Sequence, residues 1–118
     1  MSGQSPVPDE VTALLERLKP RQEAQGYFFN PDRRMLMDLL AGLLVNRERY
    51  GYMSCPCRLA SGDRGHDRDI ICPCDYREAD VAEYGACYCA LYVSRARRDG
   101  QAPELTVPER RPLERMIY

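Results

Sequence analysis

Six cysteines stand in three Cys-X-Cys pairs, Cys55-Pro56-Cys57, Cys72-Pro73-Cys74 and Cys87-Tyr88-Cys89, and the rest of the chain has none. Thiols used as staples would be spread along the chain to tie its ends together. Six confined to residues 55 to 89 describe one metal-binding or redox centre. Three chemistries compete for them. A structural zinc site takes four ligands, usually with two to four residues between paired cysteines, so single-residue spacing and six thiols suit it poorly. Three disulfides belong to secreted scaffolds, and the cysteine-free flanks argue against that use. The third reading divides the six as four plus two. A cubane iron–sulfur cluster takes four thiolates, and two more thiols are what one redox-active disulfide needs. The close spacing would set those two beside the cluster, where single electrons can be turned into two-electron disulfide reduction. Proline inside two of the pairs fixes the backbone and removes an N–H. Between a ligand and a reactive thiol it would also hold the two sulfurs apart.

The elements that position these pairs are readable on either side. Asp9 stands at an expected N-cap, and Val11, Leu14, Leu15 and Leu18 follow at helical spacing, with Pro20 limiting or kinking that helix. Tyr27-Phe28-Phe29 reads as a short extended segment, and Asn30-Pro31-Asp32 as a turn into a second helix. That helix is the clearest: Met35, Leu36, Leu39, Leu40, Leu43 and Leu44 repeat with a helical period, Arg47 and Arg49 suit its C-terminal dipole, and Gly51 stops it. It delivers the chain to the first cysteine pair, and its apolar stripe reads as ordinary core. Residues 54–75 read as loop, with the polar stretch 60–69 exposed. A short helix is expected over 78–84, stopped by Gly85, then a short strand or buried segment over 90–93. The tail carries Pro103, Pro108 and Pro112, which forbid one long helix and leave room for a short one near 109–117.

At 118 residues, 44% hydrophobic and 30% charged, the chain suits one soluble globular domain. The expected division is a loose lead-in over 1–8, the domain over 9–99 and a proline-containing tail over 100–118. Seventeen basic against eighteen acidic residues remove the global electrostatic argument for nucleic acid or a membrane surface. The runs Arg95, Arg97, Arg98 and Arg110, Arg111 read as solvated surface. No apolar run is long enough to span a bilayer, and no signal peptide is evident, so the expected location is the cytoplasm. A reducing compartment favours metal binding or redox catalysis over permanent disulfides.

The pattern Cys-Pro-Cys-Arg (55–58), a polar loop, Cys-Pro-Cys (72–74), then Cys-X-Cys and an apolar segment (87–93) resembles the catalytic (beta) subunit of ferredoxin–thioredoxin reductase. The likeness covers roughly residues 27 to 94 and excludes the tail. The resemblance implies a mainly α fold, a small domain of helices and loops wrapped around the cluster. It implies that Cys55, Cys72, Cys74 and Cys87 hold a [4Fe–4S] cluster and that Cys57 and Cys89 form the adjacent active-site disulfide. Cys57 would be the exposed nucleophile and Cys89 the resolving thiol near the cluster. Implied partners are ferredoxin or a similar one-electron donor, a thioredoxin-like substrate, and a second subunit that the sequence does not reveal.

The chain departs from the photosynthetic members at three points. Tyr88 occupies the position of their histidine, which serves proton transfer at the disulfide; an ordinary tyrosine, with a pKa of about 10, is a poor proton shuttle. The spacer between Cys57 and Cys72 is shorter, and that between Cys74 and Cys87 is longer. These changes point to a divergent branch. His66, the one histidine, lies in the polar loop, where it reads as solvated. Ferredoxins near about −400 mV and thioredoxin near about −270 mV differ by about 130 mV, on the order of 6 kcal/mol downhill for two electrons. No glycine-rich dinucleotide fingerprint is present, so a direct nicotinamide donor is not expected. The rival reading is a non-enzymatic iron–sulfur module that transfers electrons or senses redox state. Arg95, Arg97 and Arg98 are candidates to receive an acidic donor.

Overall fold

The computed structural model describes residues 6–116. Helix α1 (Pro8–Ala24) presents Val11, Leu14 and Leu15 to the stripe Leu36, Leu40, Leu43 and Leu44 of helix α2 (Arg33–Tyr50), and these side chains form half of one buried cluster. Each buried leucine removes enough apolar surface from water to contribute about 1.5–3 kcal/mol. Val7, not Asp9, occupies the N-cap of α1, with Pro8 at the first helical turn, where its missing N–H is no loss. Pro20 neither ends the helix nor stands at its edge. It lies inside α1 on the exposed face, and the helix continues to Ala24.

The turn into α2 forms as the sequence predicts. Asn30 Oδ1 accepts from the Asp32 N–H at 2.9 Å, and the Asp32 carboxylate caps the helix by accepting from the Met35 N–H at 3.1 Å. Gly51, with φ of 88°, supplies the left-handed residue that ends α2 and turns the chain toward Cys55. Strand β1 (Phe28–Phe29) pairs antiparallel with β2 (Tyr92–Val93), Phe28 opposite Val93 and Phe29 opposite Tyr92. Helix α3 (Arg77–Tyr84) ends at Gly85, and a short α4 (Arg95–Arg98), absent from the sequence expectation, is capped by Ser94. The fold is mainly α, with one two-stranded sheet.

The polar loop 60–69 is mostly exposed as expected, but single residues in it and in the arginine runs are buried. In the polar loop 60–69, Asp67 and Asp69 are buried because Tyr52, Ser61 and Gly62 donate to the first, and Tyr76, Arg111 and Arg115 to the second. Arg97 is buried against Glu104 and Arg111 against Asp69, so neither basic run is simply solvated. Arg95 remains exposed and Arg98 half-buried, both lying over the Phe28 ring, which reduces the expected basic patch to two members. The tail forms only a 3-10 turn, Leu113–Arg115. Residue 117 of the expected tail helix, and residues 1–5 of the expected lead-in, lie outside the described residues. Among the described residues, no helix is long and apolar enough to cross a membrane.

Candidate redox centre

Three loops bring the cysteine pairs together, and each is held by backbone. The first two are pinned side by side: the Cys55 N–H donates to the Ile70 carbonyl and the Cys72 N–H to the Met53 carbonyl, both at 2.8 Å, around an antiparallel bridge between Ser54 and Ile71. Asn46 of α2 ties this junction to the core by donating to the Ser54 carbonyl. Gly42, on the same helix, matters by what it lacks: a Cβ there would stand 2.9 Å from Cβ of Pro56, so the first Cys-Pro-Cys turn rests directly on the helix backbone.

The third pair sits in a tight turn. The Ala90 N–H donates to the Cys87 carbonyl at 2.8 Å, and Ala90 takes a left-handed φ of 63° that an alanine adopts only under constraint. Asn30 supplies that constraint. Its side chain donates to the Ala90 carbonyl and its backbone N–H to the Leu91 carbonyl. The turn points Cys87 and Cys89 the same way, with their sulfurs 3.9 Å apart.

Cys55, Cys72, Cys74, Cys87 and Cys89 all line one small inner cavity, together with Tyr88 and Tyr92. Cys57 does not line it. It is the one exposed thiol and opens instead onto an outer groove of about 430 Å³, walled by Leu59, Tyr88, Glu109 and Met116. Cys89 lies in the inner cavity, its thiol 3.9 Å from Cys87 Sγ and within interaction range of those of Cys55 and Cys57. Those interactions, with burial, push the Cys89 thiol well above its ordinary range. The same contact holds Cys57 below it, assisted by the nearby Arg58 charge, and holds Cys87 at about 7. Cys72 is raised by burial, and Cys74 is raised by burial against the opposing pull of Arg58.

Two buried guanidinium groups flank the cavity. Arg58 donates to Cys74 Sγ at 3.4 Å and to both oxygens of Glu109, and its plane lies 4.6 Å from the Tyr88 ring centre and 5.2 Å from that of Tyr76. Arg77, also on the cavity wall, donates to Gln22 Oε1 at 2.5 Å and lies over the rings of Tyr27 and Tyr92. The Tyr92 hydroxyl is buried beside the Cys72 thiol without a hydrogen bond of ordinary length. A cavity lined by five thiols and two cations, with an orphaned hydroxyl beside it, suits an anionic, thiolate-bound group with acceptor atoms of its own. Among the described residues, no three donors converge on a single ion.

The sequence-predicted site residues thus lie in the cavity or, for Cys57, in the adjoining groove. Tyr88 stands in the wall shared by cavity and groove. His66 lies apart from both, its Nε2 2.9 Å from the Arg115 carbonyl oxygen. Composition and spacing did not single out Asn30, Gly42, Arg77, Tyr92 or Glu109. Only the Asn-Pro-Asp turn hinted at Asn30. The tail, unmatched in the sequence reading, contributes Glu109 and Arg111 to the groove.

The family model for the ferredoxin thioredoxin reductase catalytic beta chain matches residues 7–111, which takes in all three cysteine pairs and the strap that carries Glu109. No curated protein matches the chain. A match over nearly the whole length, on a chain that gathers five thiols at one cavity with the sixth in the adjoining groove, places this protein in the ferredoxin thioredoxin reductase catalytic beta chain family.

Proposed function

We propose that the protein is an iron–sulfur disulfide reductase, in which Cys55, Cys72, Cys74 and Cys87 hold a [4Fe–4S] cluster and Cys57 and Cys89 form the working dithiol. The observation that carries this reading is the contrast between Cys57, exposed in a groove, and Cys89, buried and in contact with both Cys57 and the ligand thiols. When bound, the cluster supplies single electrons to the neighbouring disulfide. The chain's own residues do the rest. Cys57, favoured as thiolate by its interaction with Cys89 and by Arg58, attacks one sulfur of a substrate disulfide and releases the other as a thiolate. The Cys89 thiol, once deprotonated, attacks Cys57 Sγ. This frees the second substrate thiol and leaves the Cys57–Cys89 disulfide. Restoring the dithiol takes two electrons and two protons, the electrons arriving one at a time from ferredoxin or a similar carrier. Tyr88, its ring held against Arg58, walls the inner cavity from water in the groove. The substrate in this reading is a thioredoxin-like protein.

Protein purified without oxygen should contain about four irons per chain. As isolated, it should show two additional reagent-accessible thiols only after reduction. Cys57→Ser should keep the iron and lower disulfide reduction to background. Loss of iron in that variant would mean that ligand and nucleophile are exchanged. Full iron with no reduction-dependent thiol pair would leave a non-enzymatic electron-transfer module instead.

A further inference from the structure

Four arginines are buried: Arg58, Arg77, Arg97 and Arg111. Three of them meet a carboxylate, Arg58 with Glu109, Arg97 with Glu104 and Arg111 with Asp69. Arg77 does not. Its partners are the side-chain amides of Gln22, at 2.5 Å, and Gln25, at 3.4 Å, and the faces of Tyr27, 3.7 Å from the ring centre, and Tyr92, at 4.7 Å. All four are neutral. Amide oxygens and ring faces solvate a guanidinium without cancelling its charge. A buried charge left unbalanced is strongly unfavourable. The open side of Arg77 is the thiol-lined cavity, on whose wall it lies with Cys72, Cys87 and the Tyr92 ring.

We propose that Arg77 is the resident counter-charge of the anionic group held by those thiolates, a positioning residue that makes this group easier to reduce. The inference rests on the cluster reading above. Its physical basis is that each electron added to a thiolate-ligated centre increases negative charge, and a fixed cation in a desolvated site favours that step. Gln22 is the complementary half of the device. An amide at that position holds the guanidinium in place and leaves its charge directed at the cavity, whereas a carboxylate would spend it on an internal ion pair.

The test is a redox titration of the iron-loaded protein followed by EPR, with iron and sulfide counted, for wild type, Arg77→Gln, Arg77→Lys and Gln22→Glu. Arg77→Gln and Gln22→Glu should each make the bound centre at least about tenfold harder to reduce, a fall of about 59 mV for one electron. Both should release iron to a chelator faster than wild type. Arg77→Lys should keep most of the potential. If Arg77→Gln fails to hold iron, Gln22→Glu decides alone, because it retains the guanidinium and cancels only its charge. Unchanged potential in an iron-replete Gln22→Glu protein would overturn the counter-charge and leave the cluster reading standing. A lysine variant that falls as far as the glutamine variant would overturn it too. Wild type without iron would overturn both readings, and the iron count tells the cases apart.

Discussion

The two sides of the thiol cavity are built on opposite electrostatic plans. On the Arg58 side the charge is cancelled: Glu109 grips the guanidinium through both oxygens, and the tail that carries Glu109 is anchored again by Arg110 to Asp80 and Glu83 and by Arg111 and Arg115 to Asp69. On the Arg77 side the cation meets only amides and rings. The balanced side faces the groove and the exposed Cys57, and the unbalanced side is closed by α1. A surface that must open to a partner is better held by matched charges, whereas a wall that never opens can keep its charge for the cavity.

The comparison breaks most severely at Asp69. Asp69→Asn removes the carboxylate shared by Arg111, 1% exposed at its side chain, and Arg115, and should destabilise the protein by about 3–5 kcal/mol in denaturant unfolding. Amide exchange should rise along the tail and not along α1. The same carboxyl gives the expected pH dependence. Its folded pKa is held well below the ordinary carboxyl range, against burial, by hydrogen bonds from Arg111, Tyr76 and Arg115. A depressed folded value means that the stabilisation is present above the unfolded pKa of about 3.9 and is lost progressively as pH falls from there through the lower folded value. Glu109, lowered by Arg58, shifts in the same direction. Acid should therefore loosen the tail and the groove first, and a uniform acid transition across both sides would contradict this.

Glu109→Gln sharpens the contrast. It should destabilise by about 2–3 kcal/mol, since one partner of the Arg58 pair keeps some solvent contact. It also makes Arg58 resemble Arg77, so the bound centre should become easier to reduce, opposite in sign to Gln22→Glu. Equal signs would show that the two cations do not act through charge. Gly42→Ala lies outside this electrostatic contrast and should have the smallest effect. Its Cβ would meet Pro56, displacing the first Cys-Pro-Cys turn at about 1–3 kcal/mol. The change should appear as altered thiol-reagent rates at Cys57 with the Arg77 side unaffected.

Helix α2 was legible because every signal for it is local: the Asp32 cap, the leucine period and Gly51. The same holds for α3 with Gly85 and for the extended Phe28–Phe29 segment. Pro20 misled because proline was judged by propensity, while packing of Val11, Leu14 and Leu15 holds α1 together through it. The arginine runs misled for a related reason. Arg97 and Arg111 look like surface until the acids that receive them are placed, and Asp69 lies 42 residues from Arg111.

By itself, the order of residues determined that six thiols crowd one region, that a strong helix leads into them, and that their pattern is that of a disulfide-reducing family. Spacing within a few residues carries all of this. Only the tertiary structure decided which thiol is open and which is enclosed, that Asn30 closes the last cysteine turn from 60 residues away, and that the tail clamps Arg58 from 51. It also decided that Arg77 alone of the buried arginines meets no acid among the described residues. Charge balance in a desolvated site depends on which groups meet in space, and neighbours in sequence do not reveal it.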